Sequence, residues 1–336
     1  MSQSTYSFRG SFLALLALTA IAATTSLACR RPGSNAAASS SGEVPGDRPA
    51  RAHRERFGEV TLQLVELGRA DAPLLIVLHG GPGLDHTYLR PWLDPLAERH
   101  HLVYVDLRGH GHSDLPPDAN GYTISAAALD IHNVIQALGH GAPADVLAHD
   151  FGCTVGVELA VGHAESVNRL VLVGPYNSSA QIQSMPDRTL RVIGDAGFAA
   201  MLALSTPQGT LRDPRSVDAL FRTLGRMWFH RIPSDAVYRR LSRDVTYHAA
   251  ADEHFLVDMA RWSAIQIAPE VRASTLVVSG DDDQTFPPED SRALADLLPH
   301  GRYAAVGDAG HLPFVEQPAR FRDTVEAFLR PEGRAP

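Results

Sequence analysis

From about Arg54 onward, short uniformly apolar runs alternate with stretches whose apolar positions recur at helical spacing. The runs 74–79 (LLIVLH), 101–107 (HLVYVDL), 145–149, 170–173 and 275–278 are too short for helices. Being apolar throughout, they predict strands buried on both faces. Segment 60–67 reads as a further strand and 302–306 as a weaker last one. Between them, 125–138 (with Ser125 as N-cap), 152–162 and 321–329 predict helices. Apolar strands alternating with helices imply an α/β fold, a mostly parallel sheet covered on both faces.

One interval breaks the alternation. Across 176–268 there is no convincing buried strand, only helical patterns carrying Arg, Trp and Met. The pattern predicts a helical cap inserted between two strands, dividing the core into 54–175 and 269–336. No internal repeat is present.

The start of the chain follows a different rule. Arg9 precedes an apolar stretch, 12–23, and then Thr-Thr-Ser-Leu-Ala-Cys at 24–29. A positive start, an apolar core and small residues predict a secretory signal over 1–28. Ser26-Leu27-Ala28-Cys29 resembles a bacterial lipoprotein cleavage box, with Cys29 as the lipidated residue; simple secretion and an uncleaved anchor are the alternatives. Residues 29–53, rich in Ser, Ala, Gly and Pro, read as a flexible linker. The expected location is outside the cytoplasm, periplasmic or anchored to a membrane through Cys29.

Composition narrows the partners. Of 336 residues 44% are hydrophobic and 20% charged, and 30 basic against 38 acidic residues give −8. No long run of like charge occurs, which argues against nucleic acid. Two cysteines, Cys29 and Cys153, are too few for a disulfide framework.

Four motifs carry candidate chemistry. His79-Gly80-Gly81-Pro82-Gly83 follows a buried strand, so backbone N–H groups can face a cleft, with Gly81 the candidate oxyanion donor. Asp106-Leu107-Arg108-Gly109-His110-Gly111-His112-Ser113 reads as a structural loop stitched by Arg108 or Asp106. Its histidines read as loop residues, and no His/Glu cluster elsewhere in the sequence supports a metal site. Val146-Leu147-Ala148-His149-Asp150-Phe151-Gly152 runs from strand to helix in the form small-x-nucleophile-x-Gly. Asp150 is then the candidate nucleophile, Phe151 N–H the second oxyanion donor, and Cys153 a small buried hydrophobe. The plainer role for Asp150 is a helix N-cap. Last come Asp281-Asp282-Asp283 after one strand and Gly310-His311 after the final one, completing the order nucleophile, acid, base.

With these residues in place, the chain after residue 54 resembles the α/β-hydrolase fold family. HGGPG followed by Asp85-His86-Thr87-Tyr88-Leu89 is similar to the proline iminopeptidase branch. HDFG resembles the epoxide hydrolase and haloalkane dehalogenase branch, in which the aspartate attacks. The family's Gly-x-x-Asp spacing selects Asp283 from its neighbours. The resemblance implies an alkyl-enzyme ester hydrolysed by water, a small apolar substrate, and no cofactor or metal. It also implies cap tyrosines that protonate the leaving oxygen, for which Tyr247, Tyr238 and Tyr176 are candidates. Phe151 and Gly81 stand where dehalogenases carry halide-binding Trp and Asn, which favours epoxides over halides. The competing expectations are a carbonyl hydrolase, such as an esterase or aminopeptidase, with Asp252 and Glu253 as candidate holders of a substrate amine, and a non-catalytic binding protein on the same scaffold.

Overall fold

The computed structural model describes residues 44–205 and 213–330. The expected signal segment and Cys29 lie outside the described residues. Among the described residues no helix is long and apolar enough to cross a membrane.

Eight strands form one sheet in the order β1-β2-β4-β3-β5-β6-β7-β8. They are β1 Arg51–Phe57, β2 Val60–Leu67, β3 Leu74–Leu78, β4 His101–Val105, β5 Ala144–His149, β6 Val167–Val173, β7 Ser274–Gly280 and β8 Gly301–Val306. β2 pairs antiparallel with both β1 and β4, and every pairing from β4 to β8 is parallel.

Side-chain alternation divides the central strands between two cores. Ile76, Leu78, Val103, Val105, Val146, Ala148, Leu170 and Leu172 face one layer, which includes helices α1 (Ile124–Leu138) and α2 (Phe151–Gly162). Leu75, Val77, Leu102, Tyr104, Leu147, Val171 and Val173 face the other, with Phe314 and Phe321. This two-sided burial is why the strands read as unbroken apolar runs.

Two expectations need correction. The linker does not reach residue 53, because β1 begins at Arg51. Its sequence RAHRERF is mostly exposed at the sheet edge, so it carries no apolar signal, and it is fixed by pairing with β2 across a turn at Gly58 (φ 61°). Ser125 does not cap α1. Thr123 does, with its side chain accepting from Ala126 N–H, while Ser125 Oγ donates to Glu158 at 2.6 Å.

Between β6 and β7 the chain is helical. The insertion carries α3 (Ser179–Ser205, interrupted at Gly194, φ 72°), α4 (Pro214–Thr223), α5 (Gly225–Trp228), α6 (Asp235–Ser242), α7 (Ala249–Met259) and α8 (Ala264–Ile267). It is bolted to the HGGPG loop: Thr246 N–H donates to Asp85 Oδ2 at 2.6 Å and His248 N–H to Gly83 O at 2.9 Å. α9 (Pro288–Leu297), α10 (Pro313–Glu316) and α11 (Pro318–Leu329) complete the fold.

Ile76 is fully buried in the middle of β3. Ile76→Ala is expected to lower the unfolding free energy by about 2–5 kcal/mol, read as a lower denaturant midpoint.

Candidate active site

β5 passes into α2 through a single residue, Asp150, held at φ 53°, ψ −119°. An L-residue in such a region is strained by roughly 1–3 kcal/mol, so its surroundings must hold it there. Asp150 N–H donates to Val173 O at 3.0 Å, and its carbonyl accepts from Cys153 N–H at 2.9 Å. The glycines predicted from the motif make the room. A Cβ on Gly152 would stand 2.6 Å from His79 O, and one on Gly80 would stand 2.7 Å from Asp150 Cβ.

The Asp150 carboxylate does not cap its own helix. Oδ2 accepts Gly81 N–H at 3.0 Å and lies 3.9 Å from His311 Nε2. The second distance is an ion-pair separation, too long for a hydrogen bond. Behind the ring, His311 Nδ1 meets Asp283 Oδ2 at 2.9 Å. Asp283 Oδ1 accepts from the N–H groups of Thr285 (2.8 Å) and Phe286 (2.9 Å), which fixes the carboxylate. The insertion grips the histidine loop as well, since His311 N–H donates to Trp228 O at 2.8 Å. Phe151 opens α2, where helical N–H groups have no intrahelical acceptor.

Charge follows from this geometry. Burial alone would push the His311 imidazolium down, but Asp283 and Asp150 outweigh it and lift the pKa to about 10. Burial would likewise raise Asp150, but His311 outweighs it and holds the carboxyl below its ordinary value. At neutral pH the site therefore rests as an anionic Asp150 facing a cationic His311.

A buried relay behind the site was not legible as such. Gly80 N–H donates to Tyr88 Oη at 2.7 Å, and Tyr88 Oη lies 2.6 Å from His149 Nδ1. His149 Nε2 lies 3.0 Å from His311 O. The carbonyl can only accept, so His149 carries its proton on Nε2, and Tyr88 donates to Nδ1. Burial and the nearby His311 charge push His149 down to about 3, so it stays neutral. The relay ties the oxyanion loop to the histidine loop. Its sequence signal was only the adjacency of His149 to Asp150 and a tyrosine eight residues after Gly80.

The three tyrosines differ in placement. Tyr176 Oη donates to Met259 O at 2.8 Å. Tyr238 lies under Arg222 and against Phe229. Tyr247 packs its ring on Gly83 of the oxyanion loop and lies beside Asp252. Burial pushes the Asp252 carboxyl up to about 6. Trp262 donates to Glu158 at 2.9 Å. His110 is buried, with Nδ1 2.9 Å from Arg108 O, while Arg108 makes a two-pronged pair with Asp130 at 2.6 Å on each arm. Cys153 is a buried free thiol 3.3 Å from Ala148 O, and burial pushes its pKa well up.

The family model described as alpha/beta hydrolase fold matches residues 73–318. The chain belongs to that family. It is 29% identical over 294 residues to the Polyketide synthase ThaQ of Burkholderia thailandensis, covering 82% of this chain but 13% of that protein. It is 27% identical to the 2-hydroxymuconate semialdehyde hydrolase of Pseudomonas sp. strain CF600, covering 77% of this chain and 87% of the relative. A shorter match, 34% identical over 116 residues, joins it to Epoxide hydrolase 1 of Caenorhabditis elegans, with 34% of this chain and 28% of that protein covered. Among solved structures, an alpha/beta fold family hydrolase from Bacillus anthracis is similar, at TM-score 0.69 and 18% identity, covering 83% of this chain and 99% of the other. Family membership and hydrolase relatives make the chain a hydrolase.

Two measurements test the site's physics. Tyr88→Phe leaves Gly80 N–H and His149 Nδ1 without their partner and is expected to lower stability by about 1–3 kcal/mol in denaturant titrations. His311 has a folded pKa raised from 6.5 to about 10, so its stabilisation is complete below pH 6.5 and is lost as pH rises through about 10. The stability gap between wild type and His311→Gln should therefore narrow as pH rises across that window, in urea titrations at stepped pH.

Proposed function

We propose that the protein hydrolyses a small substrate at an sp³ carbon through an ester on Asp150, with an epoxide as the favoured substrate class. What supports this reading is the Asp150 carboxylate itself. It occupies the strained elbow, accepts Gly81 N–H, faces His311, and leaves the capping of α2 undone. A carboxylate attacking a carbonyl gives a labile anhydride. Attacking an sp³ carbon gives an ordinary ester that can then be hydrolysed.

The resting charges suit both steps. Ionised Asp150 attacks the ring carbon, the carbon–oxygen bond breaks, and the opened oxygen takes a proton. Tyr247, packed on the oxyanion loop, is the favoured donor among the cap tyrosines. Ester formation cancels the Asp150 charge, which removes one of the two carboxylates that hold a proton on His311. The imidazolium then passes its proton through solvent to the Tyr247 phenolate left by ring opening, and the neutral imidazole, oriented by Asp283, takes a proton from the water that attacks the ester carbonyl. The oxyanion that forms on the Asp150 carbonyl is held by Gly81 and Phe151 N–H groups. Water adds, the acyl–oxygen bond breaks, the alkoxide takes the His311 proton and leaves as a vicinal diol, and the new Asp150 carboxyl gives its proton to His311, restoring the resting pair.

A second reading is a carbonyl hydrolase with Asp150 as base. The HGGPG loop and the 2-hydroxymuconate semialdehyde hydrolase relative favour it. We also propose that residues 1–28 direct export and that Cys29 anchors the enzyme to a membrane.

Trapping separates the two enzymatic readings. His311→Gln should permit attack and block ester hydrolysis, so incubation with epoxides, haloalkanes and activated esters should leave an alkyl adduct on Asp150 in peptide mass spectra. Wild-type turnover of an ester, with no adduct in the variant, would establish the carbonyl reading instead.

A further inference from the structure

The sequence offered no cluster of metal ligands, but the fold assembles one far from the elbow. His132 lies on α1, His163 follows the last residue of α2, and Glu165 is two residues on. Their three ligand atoms lie within 4.8 Å of one another. Glu165 Oε1 is 3.6 Å from His132 Nδ1 and 3.9 Å from His163 Nδ1. We propose that these three residues bind a divalent transition metal of the zinc class, with water completing the coordination.

Distances, chemistry and access each argue for it. Tetrahedral zinc with bonds of roughly 2.0–2.2 Å sets its donors about 3.3–3.6 Å apart, so small side-chain movements close this set. Neither carboxylate–imidazole gap is a hydrogen bond, and among the described residues His163 has no hydrogen-bond partner for its ring. The two rings stack at 4.3 Å between centroids, 24° from parallel. Glu165 is exposed and the His132 and His163 side chains are 20% and 27% exposed, so an ion reaches the cluster without unfolding.

One interaction competes. Ser166 Oγ lies 2.7 Å from His132 Nδ1 and also accepts from Gln136 Nε2 at 3.3 Å. Metal binding exchanges the Ser166–His132 hydrogen bond for ligation. α2 has 12 residues, so at about 1.5 Å per residue the site stands roughly 18 Å from Asp150. The ion would clip α1 to the end of α2 and take no part in the reaction at Asp150.

Zn²⁺ titrated calorimetrically into the metal-free protein tests this. The expected result is one ion per chain, with affinity reduced at least about tenfold in both His132→Ala and His163→Ala. His149, Asp150 and His311 form the rival cluster, so His311→Gln should bind as wild type does. Both alanine variants change partly exposed side chains, and their melting without metal checks that they fold. Absence of stoichiometric binding overturns the proposal. So does binding that survives both alanine changes or vanishes in His311→Gln.

Discussion

A strand, a turn of one residue and a helix are compressed at Asp150 into a space that tolerates no side chain at Gly80 or Gly152. The backbone at φ 53° would relax if the neighbouring layers allowed it. They do not, because Gly152 lies against the carbonyls of Leu78 and His79, and Gly80 lies against Asp150 itself. The sheet is thus what holds the carboxylate: β3 supplies the wall, β5 the approach, and β6 the Val173 carbonyl that anchors Asp150 N–H. From that fixed point the Gly81 N–H, the His311 ring and the Asp283 carboxylate follow in a line of contacts at 3.0, 3.9 and 2.9 Å.

The same compression shapes the electrostatics. A partly buried carboxylate and a buried imidazole would each be pushed toward the neutral form alone. Together, and with Asp283 behind the ring, each keeps the other ionised. Holding that pair at 3.9 Å requires a rigid frame on both loops. The Gly80–Tyr88–His149–His311 chain of hydrogen bonds spans the two loops, and the insertion adds the Trp228 carbonyl.

Much of this was legible in the chain. Buried strands announce themselves because both of their faces are apolar, which is why β3 to β7 stood out. β1 did not, since an edge strand with charged side chains is fixed by its pairing with β2 rather than by burial. The elbow, acid and histidine were readable because small residues and fixed order leave a local trace. What left none was contact between distant segments. Tyr88 meets His149 across 61 positions, and His132 meets His163 only because α1 and α2 pack side by side. The cap tyrosines show the same limit. Type and rough spacing nominated Tyr176, whose hydroxyl the fold commits to the Met259 carbonyl.

The proposed mechanism turns on whether the Asp150 carboxylate forms a bond with substrate or only assists water. Multiple turnovers of an accepted epoxide in oxygen-18 water distinguish these, followed by mass analysis of the peptide that carries Asp150. Water attacking an Asp150 ester carbonyl exchanges an aspartate oxygen, so heavy oxygen should accumulate in that carboxylate. Sustained turnover with Asp150 unlabelled and all heavy oxygen in the product would contradict the account.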